Sequence, residues 1–494
     1  MKMKKIKFLG VIFISMLILG SCTKGWEEMN VDPNSPTDVP AANILTYVER
    51  AMSNTFFDVW WTGNNTSSYA NHIAKIQYID ENRYAERDGI IARWNTLLTY
   101  VVELDKIIEK AQEQENPSME AVAMILKAQI FHVMTDTWKA VPYSEAAQGE
   151  AGILQPNYDS QEAVYQGILA DLKAANTKLM EGGAITGDVL NGNDNMLWRK
   201  YANSLRMRIA IRLSSADAAA ARTVLTEILS NATTYPILAS NDDLIGFDWV
   251  GISPYYEPWY SDKISPRDDH GMCKTFIDAL IATDDPRLSE FAHPAELDGV
   301  YRGLAAGITE GEEGFELGSI SRLGTRYRDM PNGTTYYMRY AEVEFIKAEA
   351  YARTDLLNNA ALAEAAYEAG IIASCTEHGV ATGGINSYLA DGNVGWGLSG
   401  SWSYTNLQKI AYQKWVSLFK QGHEAWAETR RTDIPTLTAA PGSVFTGHNR
   451  PPFRWPYPTS EYTLNEAVVK SFDSNITDRF WGEQMIWDKR TGVN

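Results

Sequence analysis

Cysteine is almost missing from this sequence: Cys22, Cys273 and Cys375 are the only three. A disulfide-built fold is thereby excluded, and a chain this long can bury an adequate core without bridges. Cys273 and Cys375 are either one bridge or two buried thiols. Histidine is also sparse. The seven present (His72, His132, His270, His293, His378, His423, His448) are scattered, with no HExxH and no Cys/His spacing of zinc type. There is no GxSxG elbow, no GxxxxGK[ST] phosphate loop and no GxGxxG following a strand. The sequence therefore names no catalytic residue, no metal and no cofactor.

Long apolar runs are absent as well. The one apolar stretch near the start, Phe8 to Gly20, has thirteen residues, short of the roughly 20 that a membrane-spanning helix needs. It follows the basic head Lys2, Lys4, Lys5, Lys7 and ends in Leu19-Gly20-Ser21-Cys22. Residues 1–21 thus read as a lipoprotein signal peptide, with Cys22 as the lipidated first residue of the mature chain. Its acyl chains give far firmer anchoring than one chain alone, and the membrane is met through this N-terminal lipid only. Residues 22–40, rich in Asn, Asp, Ser and Pro, read as an extended tether. Removing residues 1–21 leaves 40 basic and 62 acidic groups, a charge of −22. Such a body repels nucleic acid.

Beyond the tether the apolar spacing is helical. Leu97, Val101, Leu104, Ile108 and Ala111 recur at steps of three and four, as do Val122, Leu126, Ile130 and Val133, and Val164, Ile168, Leu172, Ala175 and Leu179. Trp198 to Ile209, Ala341 to Ala348 and Leu407 to Leu418 continue the pattern. Paired helices with alanine-rich contact faces, as around Tyr340 to Tyr351, suggest helix hairpins of tetratricopeptide kind. Long Gly- and Pro-bearing segments at 234–270, 297–337, 376–404 and 440–463 separate the helical blocks and read as functional surface. The expected fold is mainly α: a tetratricopeptide-like scaffold packed with an irregular, loop-rich, ligand-facing region, over one domain at 41–494.

Aromatic residues are abundant, with 15 Trp and 25 Tyr, and they cluster in the predicted loops. Trp60-Trp61-Thr62-Gly63-Asn64, Tyr256 to Tyr260 and Trp396 to Tyr404 are examples. Flat rings stack on the apolar face of a sugar while amide and guanidinium groups bond its hydroxyls. Candidate contacts are Trp60, Trp61, Tyr256, Trp259 and Trp402, with Asn64 and Arg267 as polar partners; each ring has core packing as its alternative role. Arg206, Arg208 and Arg212 on one predicted helix, and Arg430-Arg431, read as structural ion pairs. The Asn191-Gly192-Asn193-Asp194-Asn195 stretch has oxygen ligands for Ca²⁺ but reads as a plain turn. The 62 acidic residues also leave a lipid-anchored glycosidase open, since that needs only two carboxylates roughly 5 to 10 Å apart. A purely structural envelope protein is a third reading.

Several separated stretches then point one way. Cys22 is followed by Trp26-Glu27-Glu28-Met29-Asn30 and Asp32-Pro33-Asn34. Asp136-Thr137-Trp138, Val141-Pro142-Tyr143, Trp198 to Arg208, Asp285-Pro286-Arg287-Leu288, Glu342 to Arg353 and Gly422 to Arg431 follow in order. On these motifs the chain resembles the SusD/RagB outer-membrane lipoproteins of Bacteroidetes. The resemblance implies a helical, non-enzymatic protein on the cell outer membrane, lipid-anchored and facing the exterior. It implies a SusC-like TonB-dependent transporter as partner and an oligosaccharide as ligand, or an oligopeptide as in RagB-like members. Asn203, Arg206 and Arg208 then belong to the scaffold. The loops follow no fixed pattern, and the ligand is not legible.

Overall fold

The computed structural model describes residues 38–493 apart from 86–88, 266, 313–314 and 474–478. Cys22, the 1–21 leader and the tether up to residue 37 lie outside the described residues. Helices dominate. The first, Ala41–Phe57, packs on Gly89–Glu113, and that helix, Pro117–Trp138, Gln161–Glu181, Asn195–Leu213 and Ala218–Leu229 each pack on the next in sequence. A second group pairs Tyr340–Ala352 with Ala360–Glu377 and leads to Asn406–Ser417 and Gly422–Thr432.

Local chemistry sets the boundaries. Asn116, Ser160, Asp194, Asp217 and Asn359 each accept an orphan N–H at a helix start, and Thr405 with Gln408 forms a reciprocal capping box. Of the stripe on Gly89–Glu113, Leu97, Val101, Leu104 and Ala111 are buried, but Ile107 takes the deep position expected of Ile108. The buried face of a helix packed on both neighbours is wider than a strict a/d seam, so a position beside the stripe is covered as well. Leu407 likewise faces solvent. The Val164, Ile168, Leu172, Ala175 and Leu179 stripe is buried throughout. Pro117–Trp138 and Asn195–Leu213 are covered on nearly every side, which makes them the central helices of their group.

At the centre lies a web of buried charge. Arg208 forks onto Glu342 at 2.7 and 2.6 Å, Arg212 bridges Asp136 and Glu424, and Arg431 forks onto Glu349 at 2.7 and 2.5 Å. Lys414 meets Glu428 at 3.1 Å. Each of the four helices contributing these carboxylates and guanidiniums is thereby tied to another. The ion-pair reading from sequence thus holds for Arg208, Arg212 and Arg431, and for Arg206 with its half-exposed partner Glu227, whereas Arg430 donates to the backbone carbonyls of Trp426, Phe453 and Asp136 instead.

The long inter-helical segments contain short elements the sequence did not announce. Two small antiparallel ribbons join Ile73–Lys75 to His270–Met272 and Ile245–Asp248 to Thr334–Met338. Cys273 and Cys375 are buried, unpaired thiols in different hydrophobic clusters. The Asn191–Asn195 stretch is a turn: Asp188 accepts the N–H groups of Leu190, Asn191 and Asn193, while Asp194 caps the following helix. No described helix is long and apolar enough to cross a membrane.

Candidate functional site

The first ribbon builds the site. Ile73 pairs with Met272, Ala74 with Gly271 and Lys75 with His270, and Ile76 N donates to Asp269 O at 2.7 Å. Carrying that antiparallel register onward sets Tyr78 opposite Arg267. Tyr78 sits in left-handed backbone (φ 51°) just before the turn Ile79–Arg83, and its ring is 66% exposed.

Trp60 comes from a different element. Asp58 caps the π-helical segment Val59–Thr66 by accepting Trp61 N at 2.7 Å. Neighbouring positions on a helix face different ways, so Trp60 is turned outward at 53% exposure while Trp61 is turned inward at 0%. The Arg267 guanidinium then lies 5.3 Å from the centre of the Trp60 ring and 5.0 Å from that of Tyr78. Two exposed rings joined by a flat cation form a continuous platform.

The residues beneath it hold it rigid. Trp259 is buried, its Nε1 donating to Phe57 O at 3.0 Å, with Lys420 Nζ 5.3 Å from its ring. Its ring tip meets Gly63, where an added Cβ would stand 2.8 Å from Cη2. Asn64 is buried too: His270 Nε2 bonds its Oδ1 at 2.8 Å, and Asn82 donates to its carbonyl at 2.9 Å. Burial drives the His270 pKa well below its usual range, so this imidazole is neutral.

Arg267 is oriented by Asp269, which accepts from its Nε at 2.9 Å and also from Nη2. That hydrogen-bonded pairing raises the arginine pKa further and keeps it charged. Asp262, with a carboxylate oxygen 4.0 Å from His270 Nδ1, is pushed up to about 6, first by burial and then by repulsion from Asp269. Asp268 accepts from both Arg322 and Arg328.

Of the seven residues expected to contact ligand, the platform unites Trp60 and Arg267. Two expectations are corrected outright. Trp61 lies in the core against Phe56, Trp138, Trp455 and His423, and Trp259 is a floor residue; neither offers a free face. Asn64 is a buried support, since its side chain is committed to His270. Tyr256 is half-buried against Tyr260, and Trp402 rests on Tyr404 and Tyr412. Sequence reasoning missed Tyr78, whose role depends on a three-residue strand pairing that no spacing reveals. It also missed an open cleft of about 390 Å³ that shares the same turn through Asn82 and is lined by Asn71, Thr275 and Asp278.

Among the described residues, one trio has ligand atoms close enough for a metal: His132, Asp136 and Glu424, within 4.8 Å of one another. Arg212 already bridges both carboxylates and Arg208 stands 3.6 Å from Glu424. The charge there is balanced by guanidiniums, and the trio belongs to the buried web.

Residues 33–458 match a family model described as starch-binding and associating with the outer membrane. No curated protein matches the chain. Among solved structures, a chitin-binding protein is 22% identical with a TM-score of 0.79, covering 91% of this chain and 100% of its own. A chitin-binding SusD homolog from Flavobacterium johnsoniae is 24% identical at TM-score 0.76, covering 90% and 99%. A SusD homolog from Bacteroides uniformis is 23% identical at 0.76, covering 92% and 100%. At these identities the likeness is one of fold.

Proposed function

This chain belongs to the SusD-like family, and from that membership we propose that it captures oligosaccharides at the outer membrane and passes them to a SusC-like TonB-dependent transporter. The observation that carries the reading is the exposed trio of Trp60, Arg267 and Tyr78, with ring-to-guanidinium distances of 5.3 and 5.0 Å. A pyranose presents a flat C–H face that stacks on such rings, and guanidinium N–H groups donate to its hydroxyls. The two relatives described as chitin-binding support a glycan as the ligand class. Cys22 supplies the lipid attachment that keeps the protein at the membrane surface, facing outward.

The mechanism is capture without bond making. The platform is pre-formed on a floor of buried side chains, so binding orders little protein and the association cost falls mainly on the ligand. A glycosidase is not proposed: of the carboxylates beside the platform, Asp268 and Asp269 are tied to arginines, which leaves Asp262 without a second unpaired carboxylate to work with.

Titration calorimetry of the mature domain lacking Cys22, against size-fractionated polysaccharides and peptide digests, tests the reading. Glycan binding that Trp60→Ala weakens about tenfold, a loss of about 1.4 kcal/mol, supports it. Binding of peptides alone moves the protein to the oligopeptide-binding reading, and silence toward both leaves only a structural partner of the transporter. Co-purification with the transporter from detergent-solubilised outer membranes checks the partner separately.

A further inference from the structure

We infer that the platform selects uncharged glycans and discriminates against those bearing carboxylate or sulfate groups. The inference rests on the Trp60–Arg267–Tyr78 surface being the glycan site. An arginine at the centre of a sugar platform would ordinarily be a receptor for uronate or sulfate, because its fork matches both anions. Here one edge of the fork, and its charge, is already taken up by a carboxylate. Asp269 accepts from Nε at 2.9 Å and from Nη2, so the remaining Nη1 donors can still meet a neutral hydroxyl, whereas an anion placed there would stand close to the Asp269 carboxylate.

The neighbouring cations are committed in the same way. Arg322 and Arg328 both hold Asp268, Lys75 holds Glu81 at 2.9 Å, and Lys263 holds Asp329 at 2.5 Å. His270 is neutral, so Asp262 faces no cationic imidazole across their 4.0 Å separation. An acidic sugar would thus approach Asp262, Asp268 and Asp269 with no free cation to receive it among these groups. The whole mature chain, at −22, repels polyanions in addition.

The inference is tested by titrating the mature domain with neutral hexasaccharides (maltohexaose, cellohexaose, N-acetylchitohexaose) and with acidic ones (oligogalacturonate, oligoalginate, chondroitin sulfate). The same set is measured for Trp60→Ala and Asp269→Asn, and for the unaltered chain at low and high NaCl. Expected is binding of a neutral member that Trp60→Ala weakens and that salt leaves within about twofold, since little charge pairing is screened. Asp269→Asn should then gain about tenfold for an acidic oligosaccharide by removing the carboxylate charge beside Arg267. Salt-sensitive binding of an acidic member by the unaltered chain, lost in Trp60→Ala, overturns this inference and leaves the platform standing. Absence of binding by every glycan overturns both. Should Asp269→Asn fail to fold, the salt series on the unaltered chain decides alone.

Discussion

Arg208 and Glu342 face each other across two hydrogen bonds of 2.7 and 2.6 Å, each side chain only 1% exposed. The pair joins the Asn195–Leu213 helix to Tyr340–Ala352, two elements far apart in sequence. Both charges have left water, so their attraction chiefly offsets a desolvation cost, while removal of either partner strands the other.

Arg208→Met should therefore lower unfolding stability by about 3 to 5 kcal/mol, read from denaturant midpoints. The double variant Arg208→Met/Glu342→Leu should recover part of the loss. A single variant with an unshifted midpoint would show that the pair does not hold these helices together.

Trp60 and Trp61 should separate cleanly. Trp60→Ala removes an exposed ring, leaving the melting temperature within a degree or two while weakening glycan binding. Trp61→Ala opens the core and should cost about 3 to 5 kcal/mol of stability. Thermal melts and calorimetry on the two variants read both effects; equal melting temperatures would contradict the inward and outward assignment.

Acid should destabilise the fold in two stages. Burial lowers the pKa of His72 and of His423 to about 3. The unfolded chain takes up these protons below about pH 6.5 and the folded protein does not, so stability falls as pH drops from about 6.5 toward 3. Each histidine contributes about 1.4 kcal/mol per pH unit through that window. Glu424 and Glu428 act lower. Burial alone would raise both, but Arg208 and Arg212 hold Glu424 well below the usual range, and Arg431 and Lys414 hold Glu428 at about 2. Their stabilisation is present above about pH 4.3 and is lost as pH falls through their folded values. His72 packs among Phe276, Trp415 and Phe419, so His72→Phe should flatten the first stage in denaturation curves taken between pH 6.5 and 4.5. An unchanged slope would rule out His72 as a source.

The second helix hairpin depends on one small residue. A Cβ at Gly370 would stand 2.6 Å from Phe345 Cε1, so the Tyr340–Ala352 and Ala360–Glu377 helices approach closely at that point. Gly370→Ala should lose about 1 to 3 kcal/mol to overpacking despite alanine's better helix propensity. Pairing it with Phe345→Leu should restore much of the loss, as double-mutant denaturation would report.

Much of the scaffold is legible in the sequence because helices are local. The Val164 to Leu179 stripe and the caps at Asn116 and Ser160 depend on residues only three or four positions apart. The motifs carrying the family resemblance also prove physically coherent: Asp136, Arg208, Glu342, Glu349, Glu424 and Arg431 all enter the buried charge web. The platform was less legible for the opposite reason. Nothing in a Trp-Trp dipeptide says which ring turns outward, because that depends on a π-helical turn capped by Asp58. Tyr78 meets Arg267 only through a ribbon of three pairs, and the helices from Gly89–Glu113 to Ala218–Leu229 lie between its two strands in sequence.

The charge web also draws its members from distant parts of the chain. Asp136, Arg208 and Arg212 enter the chain early, whereas Glu424 and Arg431 arrive on one of its last long helices. Until that helix docks, Arg212 has Asp136 but lacks Glu424, and Glu349 lacks Arg431, so the web is incomplete. A chain threaded N-terminus first across a membrane would therefore complete its charge web only when the Gly422–Thr432 helix emerges behind the others.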